Sequence, residues 1–143
     1  MSDYRKILLV VDLSDDSQVV GERANAIAAC YQSEITLLHV VEYVPVEPMG
    51  EALLPTVQVE TELVERARLK LRELAQRLSL GGQPQLVATG SIKSEIIRTA
   101  QKLGVDLIVL GSRERHGLAI LLNFTEDTVL HAAPCDVLAV RLH

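Results

Sequence analysis

Apolar residues in this chain come in short unbroken runs separated by amphipathic stretches. KILLVVD (6–12), EITLLHVVE (34–42), DLIVLGS (106–112) and DVLAVRL (136–142) have the length of strands, and QLVATG (85–90) makes a weaker fifth. Runs that do not alternate apolar with polar positions suit strands buried on both faces, as in parallel sheets. The stretches between them carry the helical period. In 14–31, Val20, Ala24, Ile27 or Ala28, and Tyr31 share one face, with Ser14 as the expected N-cap and Asp15 and Asp16 in the first turn. In 59–80 the face is Leu63, Ala67, Leu71, Leu74 and Leu78, with Gly81-Gly82 as the stop. In 92–103 it is Ile96, Ala100 and Leu103, capped by Ser91 and ended by Gly104. A short fourth helix is expected over about 126–132, from a Thr125 cap to a point before Pro134.

Strands alternating with helices predict a parallel sheet with helices on both faces and right-handed crossovers, an α/β fold. Periodicity alone does not give the strand order. The 143 residues fit one domain, long enough to bury roughly two thirds of the unfolded surface. Residues 43–57, YVPVEPMGEALLPTV, hold three of the five prolines and read as a surface excursion, either a lid or interaction surface or a loop without a task.

Composition narrows the function classes. Net charge is −5 with acids and bases interspersed, and aromatics are 3%, so neither a basic stripe nor a stacking platform for nucleic acid is present. The first apolar run has five residues and ends at Asp12, too short for a signal peptide or a membrane span, and no later run reaches ~18 residues. A soluble cytoplasmic protein without nucleic-acid or membrane partners is expected. Cys30 and Cys135 read as small buried hydrophobes rather than a disulfide framework, and His39, His116, His131 and His143 lack the spacing of metal ligands. His39, inside an aliphatic strand, reads as a satisfied core histidine, and Asp106 as a turn residue.

Doubly wound sheets bind ligands beyond the carboxyl ends of strands, where the strand order reverses. If the first and fourth strands meet there, Asp12 faces Gly111 across a crevice, and GSRERHGLAILLNFTEDTVL (111–130) forms the other wall.

ILLVVDLSDDS, ITLLHVVE, GVDLIVLGSRERHGLAILL and VLHAAPCDVLAVRL together resemble the universal stress protein family along the whole chain. That resemblance implies a Rossmann-like fold of the adenine nucleotide alpha hydrolase kind, with a five-stranded parallel sheet of order 3-2-1-4-5. It also implies a bacterial cytoplasmic role in surviving stress and a homodimer paired through the last strand, 136–142. An aliphatic edge strand has its own tendency to pair, the alternative being a monomer whose edge is covered by the C-terminus.

The family contains members that bind ATP and members that do not. Binding members carry glycines at three points of the loop after the fourth strand, then Ser or Thr, so that backbone N–H groups approach phosphate oxygens. By this resemblance the nucleotide site consists of Asp12, Val40 (whose backbone would meet adenine), Leu110, Gly111, Ser112, Arg113, Arg115 and Thr125. Glu114, Asn123 and Phe124 stand where the second glycine, third glycine and hydroxyl belong. A non-glycine residue forced left-handed costs roughly 1–2 kcal/mol. A carboxylate about 5 Å from a phosphate charge adds roughly 3 kcal/mol of repulsion at an effective dielectric near 20. Glu126 and Asp127 set acids on the helix start that would serve a phosphate, while Arg113, Arg115 and His116 pull the other way. The expectation is a non-catalytic stress protein with ATP binding weak or lost and no resident cofactor. An ATP- or AMP-binding sensor is the alternative.

Overall fold

The computed structural model describes residues 3–42, 53–113, 129 and 131–142. Five strands, β1 (Lys6–Val10), β2 (Glu34–Val41), β3 (Gln85–Thr89), β4 (Leu107–Arg113) and β5 (Asp136–Leu142), form one sheet of order β3-β2-β1-β4-β5. All four pairings are parallel, as the aliphatic runs predict. Three helices are described: α1 (Ser17–Tyr31), α2 (Leu53–Arg77) and α3 (Ile92–Leu103).

The sheet separates two apolar cores. Ile7, Leu9, Ile35, Leu37, Val109 and Val140 point to one face, where α1 brings Val20 and Ala24 and α2 brings Leu71, Leu74 and Ala75. Leu8, Leu38, Ile108 and Leu110 point to the other, under Ile96 and Ala100 of α3 and the fully buried Val129. Helices on both faces follow from central strands whose apolar residues point to both sides of the sheet.

α1 ends at Tyr31 as expected, and α3 agrees at both ends, where Ser91 accepts from Ser94 N and Gly104 adopts φ 63° as its cap; the other helix ends differ from the sequence expectation. α1 begins at Ser17 rather than after Ser14, and Asp16 precedes it without a side-chain cap bond. α2 begins at Leu53, inside the stretch read as a surface excursion; a proline such as Pro55 is tolerated in a first turn, whose N–H groups have no intrahelical acceptor. Its end is made by Ser79 at φ 60°, not by Gly81 or Gly82. The excursion over 43–52 and most of the expected helix at 126–132 lie outside the described residues; Val129, His131 and Ala132 are helical.

Two close approaches fix how α1 sits. Gly21 lies against Leu78, where a Cβ would collide with Cδ1 and stand 2.9 Å from Cδ2. Asn25 Nδ2 donates to the Leu78 carbonyl at 2.8 Å. At the opposite end of the sheet, Asp106 Oδ2 accepts from the backbone N–H groups of Arg5 (2.9 Å) and Lys6 (3.0 Å), and its own N–H donates to Lys6 O at 2.8 Å. The turn residue thus fastens the start of β1 to β4 across 100 residues of sequence.

Candidate functional site

The order β3-β2-β1-β4-β5 reverses between β1 and β4, so a crevice lies beyond their carboxyl ends. Leu9 pairs with Val109 in the β1–β4 register and Val10 with Leu38 in the β1–β2 register. Continuing both registers past Val10 sets Asp12 level with Ser112 on one side and Val40 on the other.

Val11 and Asp12 are held by neighbours rather than by their own strand. Val11 N–H donates to Leu38 O at 3.0 Å. His39 Nδ1 lies 2.8 Å from Val11 O, and since a carbonyl only accepts, Nδ1 carries the proton. His39 is the satisfied histidine that its strand context suggested, and it fixes the peptide just before Asp12.

Leu13 then takes φ 65°, an uncommon conformation for a non-glycine residue that turns the chain back on Asp12. Asp12 Oδ1 accepts three hydrogen bonds: from Ser14 N–H (2.9 Å), Ser14 Oγ (2.7 Å) and Ser17 Oγ (3.0 Å). Ser17, 2% exposed, is the one buried polar residue among those described. The expected cap is therefore inverted: the acid at the strand end gathers the serines, and Ser14 is a donor to Asp12 instead of an acceptor for α1. Asp-x-Ser is a side-chain turn signal, and Ser14, missed as a site residue, was legible on that ground; Ser17, five residues from Asp12, was not.

The β4 wall also departs from expectation. Gly111, Ser112 and Arg113 are strand residues paired with Val140, Arg141 and Leu142, not the opening of a loop. Gly111 does not have positive φ; among the described residues the glycines that do are Gly90 and Gly104. A Cβ on Gly111 would stand 2.8 Å from Leu142 Cδ1 and 3.1 Å from Val20 Cγ2. The residue is small because α1 and the end of β5 converge on it. Leu110, 5% exposed, packs on the α3 side, and Val40, 7% exposed, joins it there. The fold thus brings Asp12, Val40, Leu110, Gly111 and Ser112 around one crevice. Glu114, Arg115, Asn123, Phe124 and Thr125 lie outside the described residues, as do His116, Glu126 and Asp127. Among the described residues no three His, Cys, Asp or Glu side chains gather as a metal site needs, and no helix is long and apolar enough to cross a membrane.

A parallel 3-2-1-4-5 sheet with helices on both faces and its reversal point between β1 and β4 is a doubly wound, Rossmann-like α/β domain. Residues 3–141 match the universal stress protein family, and the chain belongs to that family. It is 38% identical over 143 residues to universal stress protein A homolog 2 of Coxiella burnetii, covering 99% of this chain and 98% of that one. Its fold superposes on that of the universal stress protein UspA from Lactobacillus plantarum with a TM-score of 0.80 at 26% identity, over 99% of this chain and 100% of the other. A universal stress protein crystallised in complex with cAMP shares the fold at a TM-score of 0.69 and 21% identity, over 97% and 98% of the two chains.

Proposed function

We propose that this chain is a cytoplasmic, regulatory member of the stress response that works as a homodimer, carries no catalytic activity and binds ATP weakly or not at all. The observation that carries the reading is Asp12: three donors from Ser14 and Ser17 share its Oδ1, so a nucleotide hydroxyl could reach this carboxylate only through Oδ2 or by displacing a bond the fold already makes. The composition of the loop, with Glu114, Asn123 and Phe124 in place of two glycines and a hydroxyl, supports it independently. Dimerisation is supported by the position of β5 at the sheet edge, with Leu138 half-buried in an apolar strand. We assign no catalytic residue and no resident cofactor.

A second reading keeps the crevice in use by a nucleotide with fewer phosphates, such as AMP or cAMP. It is favoured by the intact adenosine-side frame around Val40 and Leu110 and by the cAMP complex of the structural relative. Calorimetric titration of Mg-ATP, AMP and cAMP separates the two. The proposal expects no ATP binding in the micromolar range, and a gain of ATP affinity in Glu114→Gly/Asn123→Gly/Phe124→Ser; micromolar ATP binding by the wild type overturns it. Sedimentation equilibrium is expected to give twice the chain mass.

A further inference from the structure

A second concavity opens at the other end of the sheet, by the first residues of β4 and β5, roughly one strand length (about 20 Å) from the crevice. Its volume is about 590 Å³, within the range of small-molecule sites. Ile27 and Tyr31 of α1 form one wall and Tyr4 another; Leu107 and the segment from Cys135 to Leu138 complete it.

Three features set its chemistry. Tyr4 and Tyr31 meet edge to face, with centroids 5.3 Å apart and planes at 75°, making an aromatic corner. Tyr31 is 42% exposed, one of the few large apolar side chains the fold leaves in solvent. Tyr4 Oη donates to Asp136 Oδ2 at 2.8 Å, which ties a carboxylate to that corner. Among the described residues lining the groove there is no Lys or Arg, and the Asp136 carboxylate there is held by the Tyr4 hydroxyl. The Cys135 thiol reports the same field: burial first, then the carboxylates of Asp136 and Asp106, push it up from its ordinary value.

Each ligand class meets this lining differently. An anion faces a carboxylate beside two phenol rings. A neutral apolar ligand would desolvate Asp136 without giving it a partner. A cation on an apolar arm meets the aromatic corner, the carboxylate and the aliphatic floor together. We propose that the groove formed by Tyr4, Tyr31, Leu107, Asp136 and Leu138 is a binding site for a small organic ammonium carrying an aryl or alkyl arm. The site is separate from the crevice, and it borders the edge strand β5 through which dimerisation is proposed above.

The test titrates phenethylammonium, its neutral isostere 2-phenylethanol and Nα-acetyl-lysine methylamide into the full chain, by calorimetry and by amide chemical-shift mapping. The ammonium is expected to bind with millimolar or better affinity, about tenfold tighter than the alcohol. Its shifts are expected at Tyr4, Tyr31 and Asp136–Leu138. Asp136→Asn, at an exposed and nearly isosteric position, should abolish the preference for charge; Tyr31→Ala should weaken the amine about tenfold. Equal affinity for amine and alcohol, shifts confined to the ends of β1 and β4, or no saturable binding each overturn the proposal. All three need only wild-type protein. Tighter binding of the lysine mimic than of phenethylammonium overturns the assignment to a small ligand.

Discussion

The seam between α1 and α2 allows a stability prediction with a built-in control. Replacing Gly21 by Ala has two opposed effects. In a helix interior Ala is favoured over Gly by about 1 kcal/mol. Here the new Cβ would collide with Leu78 Cδ1 and lie 2.9 and 3.1 Å from Cδ2 and Cγ. Leu78 has little room to yield: it is 4% exposed, and its carbonyl is held by Asn25. Overpacking of this kind costs about 1–3 kcal/mol, so Gly21→Ala should leave the wild type unchanged or lower its stability by up to about 2 kcal/mol. Leu78→Ala alone should cost about 2–5 kcal/mol. In that background the obstacle is gone, and Gly21→Ala should now stabilise by about 1 kcal/mol. The four proteins form a double-mutant cycle with an expected coupling of about 1–3 kcal/mol, measurable by urea unfolding followed by far-UV circular dichroism. If Gly21→Ala stabilises both backgrounds equally, the close approach of α1 to Leu78 is not real and the packing argument fails.

Three further outcomes are expected. Gly111→Ala should lower stability by about 1–3 kcal/mol by crowding Leu142 and Val20; an unchanged melting temperature would return Gly111 to the role of a phosphate-loop residue. Asp106→Ala should cost about 1–3 kcal/mol through the loss of its bonds to Arg5 and Lys6 N–H, with Asp106→Asn retaining most of it, as thermal unfolding would show. Tyr4 should titrate above its ordinary value of 10.0, chiefly because its hydroxyl donates to Asp136. The fold favours the protonated phenol, so this contribution is whole below the unfolded-state value and fades as pH rises through the folded one. Difference absorbance of tyrosinate between wild type and Tyr4→Phe reads that titration, and Asp136→Asn should bring it down.

The strands were legible because burial on both faces leaves an uninterrupted aliphatic signature, and α3 was legible to the residue because Ser91 and Gly104 act alone at its ends. The errors fell where a residue type could serve two roles. Ser14 looked like a helix cap, but Asp12 lies two residues away and is the stronger acceptor. Gly81 and Gly82 looked like the natural stop for α2, yet the left-handed turn falls at Ser79 once Leu78 is buried and Leu80 N–H reaches the Ala75 carbonyl. Gly111 was assigned to backbone freedom, whereas its reason is tertiary: α1 and β5 arrive at it from more than 25 residues away in either direction, which no local pattern encodes. His39 was read correctly because a lone histidine in a buried strand must find a partner.

The position of β1 in the sheet also sets an order of assembly. β1, α1, β2, α2 and β3 are contiguous in the chain and adjacent in space, so this half can gather while the rest is still being made. β4 joins β1 only after a span of 100 residues, the separation of Lys6 and Asp106, and β5 closes over Gly111 later still. The two walls of the crevice therefore belong to the early and late halves of the molecule. A nascent chain arrested before β4 carries Asp12, Ser14 and Ser17 but no opposite wall, so the crevice takes shape only once β4 has joined β1.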